Sequence, residues 1–129
     1  MPHFVVEYSA NIARDHDLTA LGKLIRDTTV ETGLFPLAGC RVRFHEADPY
    51  IIADGHADNR ALSVIMRVGQ GRDLPSRQAA GQKIFDAICA FLGTREGHDL
   101  VSLEIVEIES ETSFKKNTIL PRLKSAGTS

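Results

Sequence analysis

A strand–helix–strand pattern occurs twice along this chain, and that repeat restricts the fold more than any other feature. An apolar, strand-like run spans His3–Tyr8. Asp17 then caps a helix in which Leu18, Leu21, Leu24, Ile25 and Thr28 recur near the helical period. Gly33 is a natural stop and Pro36 prevents resumption. A strand over Cys40–Glu46 follows, with Val42 and Phe44 alternating against Arg41, Arg43 and His45. The second copy has a strand at Ala61–Val68, a turn at Gly69–Arg72, and a helix with Pro75 in its first turn. Ala80, Ile84, Ala87, Ile88, Phe91 and Leu92 lie at helical spacing, Gly93 closes the helix, and Leu100–Glu109 is the last strand. Val5-Val6 falls on Val64-Ile65 at an offset of 59, and Gly33 falls on Gly93 and Arg41 on Val101 at an offset of 60.

Two such units, about 2–46 and 61–109, imply a single α+β domain with a tail over 110–129. The expected architecture is a four-stranded mixed sheet with both helices on one face. Within each unit the crossover is right-handed and its two strands parallel. The other face carries apolar residues, and nothing left in the chain is long enough to cover them. Packing against further copies of the chain is the expected remedy. Between the units, Ala47–Asn59 reads as a connection with a short strand around Tyr50–Ala53.

At 129 residues, 43% hydrophobic and 25% charged, the chain is an ordinary globular protein. No run approaches the ~20 apolar residues of a membrane span, and no secretory signal opens the sequence. A formal charge of −2 gives no overall attraction to nucleic acid or acidic membranes. Cys40 and Cys89 are far apart and form no CxxC, which reads as two free, buried thiols in a cytoplasmic protein.

The two halves differ where chemistry would sit. Pro2 corresponds to Ala61, Arg41 to Val101, and Arg72 to Ile12 or Ala13. Pro2 follows Met1 directly, and a methionine before a small residue is a good candidate for removal. Its nitrogen, an amide inside the chain, would then become a free secondary amine at the start of a strand. Arginine suits carboxylates because its planar fork donates paired hydrogen bonds and stays charged. Asp54-Gly55-His56-Ala57-Asp58 reads as a hydrated loop, because no second histidine lies nearby at metal-ligand spacing. His45 reads as part of a charged strand end. Gly69–Arg72 ahead of a helix could hold an anion, although no nucleotide-binding pattern is present. Phe114-Lys115-Lys116-Asn117 is either a helical turn that seals a pocket between subunits or an exposed basic tail.

Taken together, Pro2, the stretch Thr32–Arg41 (Thr-Gly-Leu-Phe-Pro-Leu-Ala-Gly-Cys-Arg), Gly69–Arg72 with Ser76-Arg77-Gln78, and Phe114–Asn117 resemble the 5-carboxymethyl-2-hydroxymuconate isomerases of the tautomerase superfamily. The resemblance runs from Pro2 to about Asn117. It implies a cofactor-free, metal-free enzyme of homoprotocatechuate (4-hydroxyphenylacetate) catabolism, assembled as a homotrimer and acting on a small di- or tricarboxylate enol. The catalytic positions it implies are Pro2, Arg41 and Arg72. Neutral Pro2 would take the 2-hydroxyl proton of the dienol and return a proton to C5. One arginine would hold a carboxylate and the other would stabilise oxyanion character at C2. A tautomerase of the 4-oxalocrotonate or phenylpyruvate type, and a non-catalytic oligomeric binding module, are the alternatives.

Overall fold

In the computed structural model, which describes residues 2–127, the doubled pattern becomes one sheet. Its strands are β1 (His3–Ser9), β2 (Arg41–Ala47), β3 (Arg60–Gly69) and β4 (Asp99–Ile108), in the order β2-β1-β3-β4. Each unit pairs its two strands in parallel, β1 with β2 and β3 with β4, and β1 runs antiparallel to β3 across the seam. The long helices are α2 (Leu18–Glu31) and α3 (Leu74–Leu92). They pack on each other, with α2 over β2 and α3 over β4. Short helices α1 (Ile12–Asp15) and α4 (Ile119–Ser125) are additions that the periodicity did not announce.

Local chemistry sets the helix limits. Asp17 accepts from the Ala20 N–H at 3.2 Å and Asp73 from the Ser76 N–H at 2.8 Å, each satisfying a donor in the first turn. Gly93 closes α3 in the left-handed region at φ 59°. Phe4, Val6, Leu62, Val64, Met66 and Val68 point from the sheet into a core completed by Leu21, Ile25, Ile84 and Ile88 from the helices. The duplication extends to close approach. A Cβ at Gly22 would stand 3.0 Å from Phe44, and one at Gly81 would stand 2.9 Å from Ile105, so each long helix crosses its strand over a glycine.

Ile65, Leu100 and Val106 are exposed on the sheet face away from the helices. Cys40 and Cys89 are free thiols, half-buried rather than fully buried. No strand forms at Tyr50–Ala53. The Ile52 carbonyl accepts instead from the Gly55 N–H at 2.9 Å and from Asn59 Nδ2 at 3.0 Å, which commits this backbone to a turn rather than a ladder. Among the described residues no helix is long and apolar enough to cross a membrane.

Candidate active site

The pairing directions decide what meets what. β1 and β2 both begin at the end of the sheet where β3 and β4 finish. Pro2, Arg41, the turn Gly69–Arg72 and the segment after Ile108 therefore converge there, although they come from four parts of the chain. Pro2 is buried, and its carbonyl accepts from the Arg41 N–H at 3.4 Å. The next residue, His3, pairs with Arg41 on one side and Arg67 on the other.

A cavity of about 450 Å³ opens at this end, lined by His3, Arg41, Gln70, Ile108, Phe114 and Lys115 among others. No carboxylate is among its lining residues. Neither Arg41 nor Lys115 forms an ion pair among the described residues. A smaller cavity of about 200 Å³ adjoins Arg41 and Lys115 from the side of Ala38 and Asn117. Burial, and then the charges of Arg41, Arg43 and Arg67, push the His3 imidazole down from 6.5 to about 4. Arg43 Nη2 lies 3.4 Å from His3 Nδ1, and a guanidinium can only donate, so that ring nitrogen is the acceptor. The result is a space walled by fixed positive charge and a neutral imidazole, a suitable receptor for an anion with several carboxylates.

Arg72 is placed differently from Arg41. Its Nε and Nη2 donate to the Leu34 carbonyl at 3.3 and 2.9 Å, and Nη1 donates to the Gly69 carbonyl at 3.4 Å. The guanidinium also lies 4.4 Å from the centre of the Phe35 ring. Two of its five N–H groups are left for any ligand. Arg72 thus ties the Gly33–Pro36 loop to the end of β3, and no hydrogen bond among the described residues joins it to Pro2. The helix behind it offers no vacant anion site, because the Asp73 carboxylate already occupies the first turn of α3.

Phe114–Asn117 is not a helical turn. Asn117 donates to the Ala38 carbonyl at 2.9 Å and accepts from the Ile119 and Leu120 N–H groups at 3.0 and 3.2 Å. It therefore holds the start of α4 against the short 3₁₀ turn Leu37–Gly39 and brings Lys115 to both cavities. Phe114 itself is 91% exposed. Of the other lining residues, His3 was not singled out from the sequence, whereas Gln70 and Lys115 lay within the stretches Gly69–Arg72 and Phe114–Asn117 but were given no role of their own. His45 stays on the exposed part of β2, away from the cavity. Another cavity, of about 690 Å³, runs between α3 and β4 past Gly81 and Leu103 and contains none of these groups.

Comparison with known proteins identifies the family and the fold. The family described as 5-carboxymethyl-2-hydroxymuconate isomerase matches residues 2–123. The chain is 40% identical over 121 residues to a 5-carboxymethyl-2-hydroxymuconate Delta-isomerase of Escherichia coli, covering 92% of this chain and 96% of that one. A crystal structure of a 5-carboxymethyl-2-hydroxymuconate delta-isomerase superposes with a TM-score of 0.87 at 26% identity, covering 95% of this chain and 93% of that chain. A fused 4-OT symmetric trimer shares the fold, with a TM-score of 0.64 at 21% identity over 88% of this chain and 94% of its own. The chain belongs to the 5-carboxymethyl-2-hydroxymuconate isomerase family.

Proposed function

We propose that the protein is a cofactor-independent isomerase that converts 5-carboxymethyl-2-hydroxymuconate into its 2-oxo-3-ene isomer during homoprotocatechuate breakdown in the cytoplasm. The observation that carries this reading is the carboxylate-free cavity at the Pro2 end of the sheet, lined by His3, Arg41 and Lys115. The substrate carries three carboxylates, and two unpaired cations on one wall match that charge.

Loss of Met1 turns the Pro2 nitrogen into a free secondary amine at the start of β1. Neutral Pro2 takes the proton of the 2-hydroxyl. The oxygen lone pair closes the C2 carbonyl, the C2–C3 π pair moves to C3–C4, and the C4–C5 π pair takes a proton from Pro2 at C5. One proton enters and leaves the amine per turnover, so no cofactor is needed. A base that becomes an acid within one cycle works best with its pKa near the operating pH. Burial and nearby cations both lower an amine's pKa, in the direction this task requires.

Arg41 is the better placed of the two arginines to clamp a carboxylate, with Lys115 holding a second. Arg72 has a different role: it fixes the Gly33–Pro36 loop and adds positive field at the developing C2 oxyanion. Trimeric assembly, as in the fused 4-OT structure, would cover Ile65, Leu100 and Val106 on the open face.

The test is a substrate panel assayed with tag-free protein whose mass shows Met1 removed. The highest kcat/KM is expected for 5-carboxymethyl-2-hydroxymuconate. A higher value for phenylpyruvate enol or for unsubstituted 2-hydroxymuconate would reassign the protein to a sibling activity.

A further inference from the structure

We propose that His56, Asp58 and His98 form a binding site for one divalent transition-metal ion of the zinc type, at the end of the sheet remote from Pro2. His56 and Asp58 lie in the connection before β3, and His98 immediately precedes β4. Folding brings one potential ligand atom from each within 4.8 Å of the other two. The two imidazole rings are 4.7 Å apart, centre to centre.

The surroundings prepare these side chains for a cation. Asn59 is buried, and its Nδ2 donates to the Ile52 carbonyl at 3.0 Å and to Asp54 Oδ1 at 2.8 Å. Those two bonds fix which way the amide faces. Its Oδ1 must then accept, so His98 Nδ1, 3.1 Å away, carries the ring proton. The lone pair of neutral His98 is left on Nε2, with the second nitrogen held by an outer hydrogen bond as in metal-binding histidines generally.

His56 is exposed, and its ring is held by one hydrogen bond, accepted by Nδ1 from the Asp58 N–H at 3.0 Å. Metal binding exchanges that single bond for a coordinate one. The Asp58 carboxylate has no hydrogen-bond or ion-pair partner among the described residues. Arg95 Nη2 donates instead to the Asp58 carbonyl at 2.6 Å and to Asp99 Oδ1 at 3.3 Å. Tetrahedral ligands 2.0–2.1 Å from zinc stand about 3.3 Å apart, so the cluster must contract, and the exposed His56 side chain supplies the movement. Two imidazoles and one carboxylate suit zinc, cobalt or nickel, whereas magnesium and calcium prefer all-oxygen sites. The ion would link the connection to the entry of β4, a structural role far from the proton-transfer site.

The experiment uses tag-free, chelator-treated full-length protein, titrated with ZnCl₂ and separately with CoCl₂ by calorimetry, with thermal unfolding in parallel. Uptake of one Zn²⁺ per chain with a rise in Tm is expected, while MgCl₂ has no effect. His56→Ala and Asp58→Asn, both exposed, are each expected to weaken Zn²⁺ binding at least tenfold with the metal-free Tm unchanged. Absence of saturable Zn²⁺ binding would overturn the proposal, as would binding that both variants retain at full strength.

Discussion

Both ends of the sheet carry arginines, and they treat them in opposite ways. At the end remote from Pro2, Arg60 and Asp99 form a buried bidentate pair at 2.8 and 2.6 Å, with Arg60 also 2.9 Å from His16 and the Arg95 N–H on Asp99 at 2.6 Å. The buried charges of Arg60 and Asp99 thus complement each other inside the protein. At the same end Ser9, Asn11, the Asn59 carbonyl and the Ala61 N–H form a second, separate set of hydrogen bonds. At the Pro2 end, Arg41 and Lys115 face a cavity without a carboxylate, and Arg72 is answered only by backbone carbonyls and a ring. One end satisfies itself and holds the fold together. At the other, Arg41 and Lys115 have no carboxylate partner among the described residues.

Substitutions at the two ends should separate these roles, and Asp99→Asn should have the largest effect. Breaking one partner of a buried ion pair costs about 3–5 kcal/mol, seen in urea unfolding. Hydrogen bonds from Arg60, reinforced by the Arg95 N–H, hold the Asp99 carboxyl far below the usual range. Its stabilisation is thus present above the unfolded-state pKa and disappears as pH falls through the folded one. In Asp99→Asn this acid-side loss should vanish, while kcat/KM of the folded protein stays unchanged. Arg41→Ala should behave in the reverse way. Losing a charge-assisted bond to a carboxylate, worth about 1.5–3 kcal/mol, lowers kcat/KM roughly 10- to 100-fold. Stability should move by no more than about 0.5 kcal/mol. A stability loss at Arg41 equal to that at Asp99 would erase the contrast between the ends.

Arg72→Ala belongs to both classes. Release of the Gly33–Pro36 loop should lower stability by about 1–2 kcal/mol and reduce activity less than Arg41→Ala does. An activity loss with no stability change would make Arg72 a direct substrate ligand instead. His3→Gln gives the smallest effect at neutral pH, where the imidazole is mostly uncharged in both folded and unfolded states. Its folded pKa is about 4 against 6.5 in the unfolded chain, so the unfolded state binds more protons between those values. Stability should therefore fall as pH drops from 6.5 toward 4, and His3→Gln should flatten that slope, as urea midpoints across the window would record.

Much of this division was legible from the residues alone. The repeat fixed strand count, pairing and helix side because its apolar periods are local and regular. Gly93 and Asp17 act within one turn, so their roles could be read directly. What escaped depended on long-range meetings. His98 reaches His56 only because β4 begins beside the connection that precedes β3, which is why no metal-ligand spacing was visible along the chain. Arg72 looked like a free fork because its acceptors, Leu34 and Gly69, are backbone carbonyls, and carbonyls carry no sequence signature. Lys115 reaches the cavity because Asn117 grips Ala38, a contact between distant segments with no periodic cue.

The contrast between the ends matters for catalysis only if an amine works beside the unpaired cations. The most direct measurement compares kcat/KM for 5-carboxymethyl-2-hydroxymuconate between protein whose Pro2 nitrogen is free, verified by mass, and the same protein with that nitrogen acylated. Removing a general acid–base group costs roughly 10²- to 10⁴-fold in rate, and a loss of that size with Tm preserved is the expected result. Acylated protein that turns over substrate within about threefold of the free form would contradict the account.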